Sequence, residues 1–123
     1  MKRYGQTLEL VDDPALIAEY VEHHRRVWPE VIAALRAIGL QRMTIFLRGN
    51  RLFMYYEAPD EFDPARDYQR YTEDPTCRQW DELMRKYQRQ LPGTPQGAWW
   101  APMEEVFRLA ETGAGGGRAA EEG

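Results

Sequence analysis

The sequence predicts an α+β domain in which helices cover one face of a four-stranded antiparallel sheet, and three observations carry that reading. Strand-like and helix-like patterns follow one another in the order β-α-β-β-α-β, Gly49-Asn50 separates two runs rich in Ile, Phe, Leu and Tyr, and 123 residues suffice for one core but not two. That order is the ferredoxin-like arrangement. A sheet of this size leaves one face and two edges uncovered. The hairpin carries Phe46, Phe53, Tyr55 and Tyr56 on both faces, so two copies are expected to pair into a dimeric α/β barrel.

Residues 3–10 alternate, with Tyr4, Gln6, Leu8 and Leu10 on one face and Thr7 and Glu9 on the other, which predicts the first strand. Asp13 then caps a helix whose first position is Pro14, where the missing N–H costs nothing. The helical pattern runs to about Ile38 and Gly39 stops it. Pro29 interrupts it, predicting a kink or a break over residues 25–28 and a freed carbonyl near His24. Residues 41–48 and 51–58 form the hairpin around a two-residue turn. After a loop at 59–64, residues 65–71 and 75–90 read as helices with Tyr68, Tyr71, Trp80, Leu83, Met84 and Tyr87 facing inward. Residues 91–102, rich in proline and glycine around Trp99-Trp100, read as a structured loop, and 103–109 as the last strand. The domain thus spans 1–110. The tail 111–123, with Gly115-Gly116-Gly117 and alternating charge, has no apolar group to bury and is expected to be disordered.

Composition narrows the function classes. Hydrophobic residues make up 43% and charged residues 29%, the balance of a soluble globular protein. Sixteen basic residues lie scattered among twenty acidic ones for a net charge of −4, which argues against nucleic-acid binding. The single cysteine, Cys77, has no partner for an internal disulfide, and no Cys/His cluster has metal-ligand spacing, so no metal is expected. The N-terminus lacks the apolar run of a signal peptide and no stretch is long and apolar enough to span a bilayer. A cytoplasmic protein with no membrane partner is the expectation.

Both histidines fall within the first helical pattern. Leu16, Tyr20, Val27, Val31, Ala34, Leu35 and Ile38 form its apolar stripe, and the period of 3.6 places His24 on that stripe and His23 about 100° away, toward the polar side. On spacing alone, His24 is either a hydrogen-bonded core residue or an acid/base group with Tyr20 one turn away. Glu30 and Glu105 read as solvated or salt-bridged carboxylates, and Arg25, Arg26, Arg36 and Arg48 as solvated.

With those residues in place, the chain resembles the small L-rhamnose mutarotase family, which also contains L-fucose mutarotases. The resemblance runs from about Arg3 to Leu109, and its most specific parts are Tyr20-x-x-x-His24-x-x-x-Trp28-Pro29-Glu30, Gly39, Trp80 followed by Leu83-Met84, and Glu105-Val106-Phe107-x-Leu109. It implies a ferredoxin-like fold, a homodimer, and cofactor-free interconversion of the α and β anomers of a 6-deoxy-hexopyranose. It implies His24 as the proton donor, Tyr20 as a sugar-binding hydroxyl and Trp80 as an aromatic that stacks on the sugar. Trp28 and Trp100 are further candidates for the pocket wall, Trp100 because its loop has the composition of a lid. Rhamnose-type members carry a tyrosine where this chain has Met43 and a second tryptophan where it has Asp81, both substrate contacts. Met43 with Ile45, the run Gly49-x-Arg51-Leu52-Phe53-Met54, and Gln88-x-x-Leu91-Pro92 leading to Gly97-x-x-Trp100 look more like the L-fucose branch. Two other classes suit such a fold: a small oxygen-dependent monooxygenase, and a non-catalytic sugar-binding module.

Overall fold

Nine elements appear in a computed structural model that describes residues 1–96 and 98–109. They are β1 (Lys2–Leu10), α1 (Pro14–His24), α2 (Pro29–Ala37), β2 (Arg42–Arg48), β3 (Arg51–Ala58), α3 (Pro64–Thr72), α4 (Pro75–Arg85), β4 (Gln88–Arg89) and β5 (Ala101–Met103). Gly97 and the tail 111–123 lie outside the described residues. The sheet runs β2-β3-β1-β4, antiparallel throughout, with β5 also paired to β1. This is the strand order of the ferredoxin-like fold, built on an α+β chain.

Local chemistry explains the helix starts. Three helices open on Asp-Pro: the side chains of Asp13, Asp63 and Asp74 accept hydrogen bonds from the backbone N–H of Ala15 (2.9 Å), Ala65 (3.0 Å) and Thr76 (2.8 Å), and the proline takes the position whose N–H would go unused. Pro29 likewise begins α2, so the single helical pattern expected from 14 to 38 is a helix-turn-helix, broken where proline requires it. Gly39 follows α2 with a φ of +114°, a conformation open to glycine, and turns the chain into β2. The hairpin turn holds Gly49 at a φ of +60°.

Alternation decides which face packs. The register sets Tyr4, Gln6 and Leu8 of β1 opposite Tyr56, Met54 and Leu52 of β3, and Met43 and Ile45 of β2 opposite Tyr56 and Met54. These side chains meet the helices, where Leu8, Leu52, Tyr56, Tyr20, Val31, Tyr71, Trp80 and Met84 form the buried core. The opposite face carries Gly5, Phe46, Phe53, Tyr55 and Met103, with Phe46 and Phe53 stacked at 6.2 Å and Phe46 59% exposed.

Two expectations at the C-terminal end are corrected. The long helix ends at Arg85 rather than at residue 90: Lys86 and Tyr87 N–H close onto Leu83 and Met84 carbonyls, Val11 N–H then bonds to Tyr87 O at 2.8 Å, and Gln88–Arg89 join β1. Tyr87, the last inward position of the helical pattern, is buried just beyond the helix end. The last strand is Ala101–Met103 rather than 103–109. It pairs with Gly5–Thr7, and because β1 begins at Lys2 the register runs out of partner near Val106. The fourth strand position is therefore shared by two short pieces on one edge of β1.

Candidate functional site

A cavity of about 1180 Å³ lies between the inner face of the sheet and the helices, slightly above the range of about 300–1,000 Å³ usual for small-ligand sites. The sheet supplies Gln6, Met43, Ile45, Met54 and Gln88, and the helices supply Tyr20, His24, Tyr71, Trp80 and Asp81. Trp99 and Trp100 close one side from the loop after β4, with the Arg85 guanidinium 5.4 Å from the Trp99 ring centre. Thr94 N–H bonding to Leu91 O at 3.1 Å and Ala98 N–H to Pro95 O at 3.1 Å hold that loop in tight turns.

His24 is the last residue of α1, and its geometry is specific. Nδ1 bonds to the backbone carbonyl of Tyr20, one turn earlier, at 2.9 Å. A carbonyl only accepts, so the neutral ring carries its proton on Nδ1 and keeps a lone pair on Nε2. Among the described residues nothing bonds to Nε2. The Tyr20 ring lies 4.4 Å from the imidazole and the Trp80 ring meets it edge-on at 5.5 Å, so two aromatic planes fix its direction. Burial among these rings pushes the His24 pKa below its ordinary 6.5; the Tyr20 carbonyl opposes that effect and the neighbouring His23 adds to it. The imidazole is neutral near pH 7. The carbonyl that orients the ring is Tyr20's, within α1, rather than one freed by the break at Pro29.

Tyr20 is 3% exposed and its hydroxyl accepts from Gln88 Nε2 at 3.4 Å, while burial pushes its pKa up to about 12. Asp81 lines the cavity with its Oδ1 accepting from the Tyr71 hydroxyl at 3.0 Å. Burial raises the Asp81 pKa, against the opposing pull of Tyr71 and Arg85. Burial, followed by the facing Asp81 charge, raises Tyr71 as well. Tyr20, His24, Met43, Trp80, Asp81 and Trp100 therefore come together around one cavity. Trp28 does not reach its wall: it packs edge-on against Trp80 at 5.2 Å and supports the site from behind. It stands four residues after the end of α1, at the start of α2.

His23 is better enclosed than the helical period predicts. Its Nε2 lies 3.2 Å from the Tyr87 hydroxyl, which donates to Glu19 Oε1 at 2.9 Å, and this chain ties α1 to the end of α4. Glu30 is exposed, and Glu105 pairs with Arg108 at the surface. Gln6, Tyr71 and Gln88 also line the cavity; Tyr71 was expected to face inward and Gln88 belonged to a motif, but none of the three was expected as a site residue. A polar residue on an otherwise apolar inward face was the available signal for Gln6. Among the described residues, no three His, Cys, Asp or Glu side chains converge so as to hold a metal ion.

A ferredoxin-like domain with a neutral, oriented histidine at an aromatic-walled cavity is equipped for acid/base chemistry on a small molecule. A family model described as L-rhamnose mutarotase matches residues 3–109, and the chain belongs to that family. It is 40% identical over 113 residues to an L-fucose mutarotase of Xanthomonas campestris, covering 90% of each chain. A UPF0734 protein of Dictyostelium discoideum is 50% identical over 112 residues, covering 88% of this chain and 90% of that protein. Among solved structures, an L-rhamnose mutarotase of Formosa agariphila matches with a TM-score of 0.65 at 23% identity, covering 89% of this chain and 99% of that one, which speaks for the fold. The protein is an isomerase of the sugar mutarotase type.

Proposed function

We propose that this protein interconverts the α and β anomers of L-fucose, with His24 moving the proton and Tyr20, Met43, Trp80, Asp81 and Trp100 forming the sugar's surroundings. The observation that carries this reading is the lone pair of His24 Nε2, held at the cavity by the bond from Nδ1 to Tyr20. Anomer exchange takes the proton from the anomeric hydroxyl as a proton reaches the ring oxygen. The C1–O5 bond opens to an aldehyde, rotation about C1–C2 presents its other face, and reclosure reverses both transfers. A neutral imidazole suits the first step near pH 7. Trp80, edge-on to that imidazole, offers a surface for the apolar face of the sugar and its methyl group.

Support for L-fucose over L-rhamnose comes from Met43 and from the 40% identity to an L-fucose mutarotase. The two sugars differ in the axial or equatorial setting of their C2 and C4 hydroxyls. A thioether at 43 cannot hold a hydroxyl as a phenol does, so the substitution alters which setting is matched. The same reading makes the protein a cytoplasmic homodimer. The exposed Phe46 and Met103 on the sheet's open face support the pairing, and a lone, buried Cys77 suits a reducing compartment.

Exchange-spectroscopy NMR of the anomeric protons, run separately on L-fucose and L-rhamnose, tests the proposal. Faster exchange of L-fucose is expected, with Met43→Tyr moving the ratio toward L-rhamnose by about tenfold. Saturation transfer to bound sugar without any acceleration of exchange would make the protein a sugar-binding module instead.

A further inference from the structure

We propose that Asp81 is the second catalytic group of the anomer exchange, handing a proton to the ring oxygen while His24 takes one from the anomeric hydroxyl, with Tyr71 positioning it. This rests on the mutarotase reading. The reaction moves protons at two oxygens bonded to the same carbon. The His24 ring has committed Nδ1 to the Tyr20 carbonyl and offers only Nε2, so it serves one oxygen at a time. A second proton carrier on the cavity wall lets both transfers accompany the opening of the C1–O5 bond.

Among the described residues, Asp81 is the one carboxyl group that lines the cavity. The Tyr71 hydroxyl donates to its Oδ1 at 3.0 Å, which fixes the carboxyl and leaves Oδ2 for the sugar. Asp81 follows Trp80 in α4, the Trp80 ring meets the His24 imidazole edge-on at 5.5 Å, and both carriers line the same cavity. The groups facing this carboxyl are Tyr71 and Tyr68 of α3 and Cys77 and Arg85 of α4, and His24 of α1 lines the same cavity. Arg85 opposes protonation of Asp81, but burial outweighs it, while the same burial opposes protonation of His24. Burial thus favours the protonated form of the acid and the neutral form of the base.

The transfers balance. Asp81 Oδ2–H gives its proton to O5, which keeps the electron pair of the breaking C1–O5 bond. The O1–H pair becomes the carbonyl bond and His24 Nε2 holds the proton. On reclosure O5 attacks C1 and returns its proton to the Asp81 carboxylate, and His24 returns its own to O1. Nothing is oxidised or reduced, and each group ends as it began.

Asp81→Asn tests this, because Asn retains an acceptor for Tyr71 and the volume of Asp but carries no transferable acid proton. Anomer exchange of L-fucose is expected to fall by about 10²-fold or more in kcat with KM nearly unchanged, and the alkaline limb of the pH profile to flatten. Tyr71→Phe removes a donor that stabilises the carboxylate, so its alkaline limb is expected at higher pH than wild type; this variant decides the matter if Asp81→Asn does not fold. An Asp81→Asn rate within about threefold of wild type with both limbs in place, or a Tyr71→Phe profile with its alkaline limb unmoved, would overturn the assignment. A wild-type protein that accelerates neither sugar would overturn the mutarotase reading itself, and this assignment with it.

Discussion

His24 brings one nitrogen to the cavity because the other is bound to a carbonyl four residues back. A helix whose last turn offers a side chain its own backbone carbonyl chooses the tautomer without a second residue, and the aromatic rings of Tyr20 and Trp80 then choose the direction. The pH dependence follows from burial. Exchange by the neutral imidazole is expected to hold near pH 7 and fall as pH drops through a pKa below 6.5, which the pH profile of kcat/KM and an NMR titration of the His24 ring would both report. Stability moves the same way: the unfolded chain takes up this proton near 6.5 and the folded chain only at lower pH, so acidification through that interval favours unfolding. Asp67 acts at a lower pH. Arg66, Arg70 and the Asp63 N–H hold its carboxylate well below the usual range, so its contribution is present above the ordinary carboxylate pKa and is lost only in strong acid. His24 was legible from period alone as an inward histidine. Its role was not, because a satisfied core histidine and a catalytic one share the same position on the helical wheel.

Elements with strong local signals match their expected extents, and those set by tertiary pairing do not. Asp13 satisfies backbone N–H groups two and three residues on, and Gly49 takes the positive φ that the turn needs, so α1 begins and the hairpin turns where the local chemistry directs. Asp13→Ala removes the acceptor of the Ala15 and Leu16 N–H groups and is expected to cost about 1 kcal/mol in denaturant unfolding, with kcat unchanged, since the cap lies at the end of α1 remote from His24. The C-terminal strand depends instead on how much of β1 remains unpaired. Gln88–Arg89 take Glu9 and Leu10, Ala101–Met103 take Gly5 to Thr7, and no local pattern foretells that division. Trp28 shows the same limit within the site. It is four residues from the end of α1 and near the cavity in sequence terms, yet it packs edge-on against Trp80 and does not line the cavity.

On the scale of the molecule, one face of the sheet serves the cavity and the other is left to solvent. The open face carries Phe46, 59% exposed, and Met103, 49% exposed, and Phe107 follows from the chain end at 50%. Apolar side chains gathered on one sheet face call for a cover, which a second copy would provide in the proposed homodimer. Phe46→Glu places a charge amid that surface and is expected to halve the mass measured by light scattering; an unchanged dimer mass would move the interface elsewhere. The fold was largely legible because alternation, turn chemistry and proline placement agreed on the element order. The cavity was only partly so: Tyr20, His24, Met43, Trp80, Asp81 and Trp100 were named as site residues from motif and resemblance, whereas Gln6, Tyr71 and Gln88, though legible as inward or motif positions, gain their place at the site through packing.

The most direct test of the central claim is exchange NMR of the L-fucose anomeric protons with wild-type protein and with His24→Ala, the fold of each checked by far-UV circular dichroism. Acceleration by the wild type that drops by about 10²-fold or more in a folded His24→Ala protein is the predicted result. Equal acceleration by both proteins would contradict it, since the anomeric proton would then leave by some group other than His24.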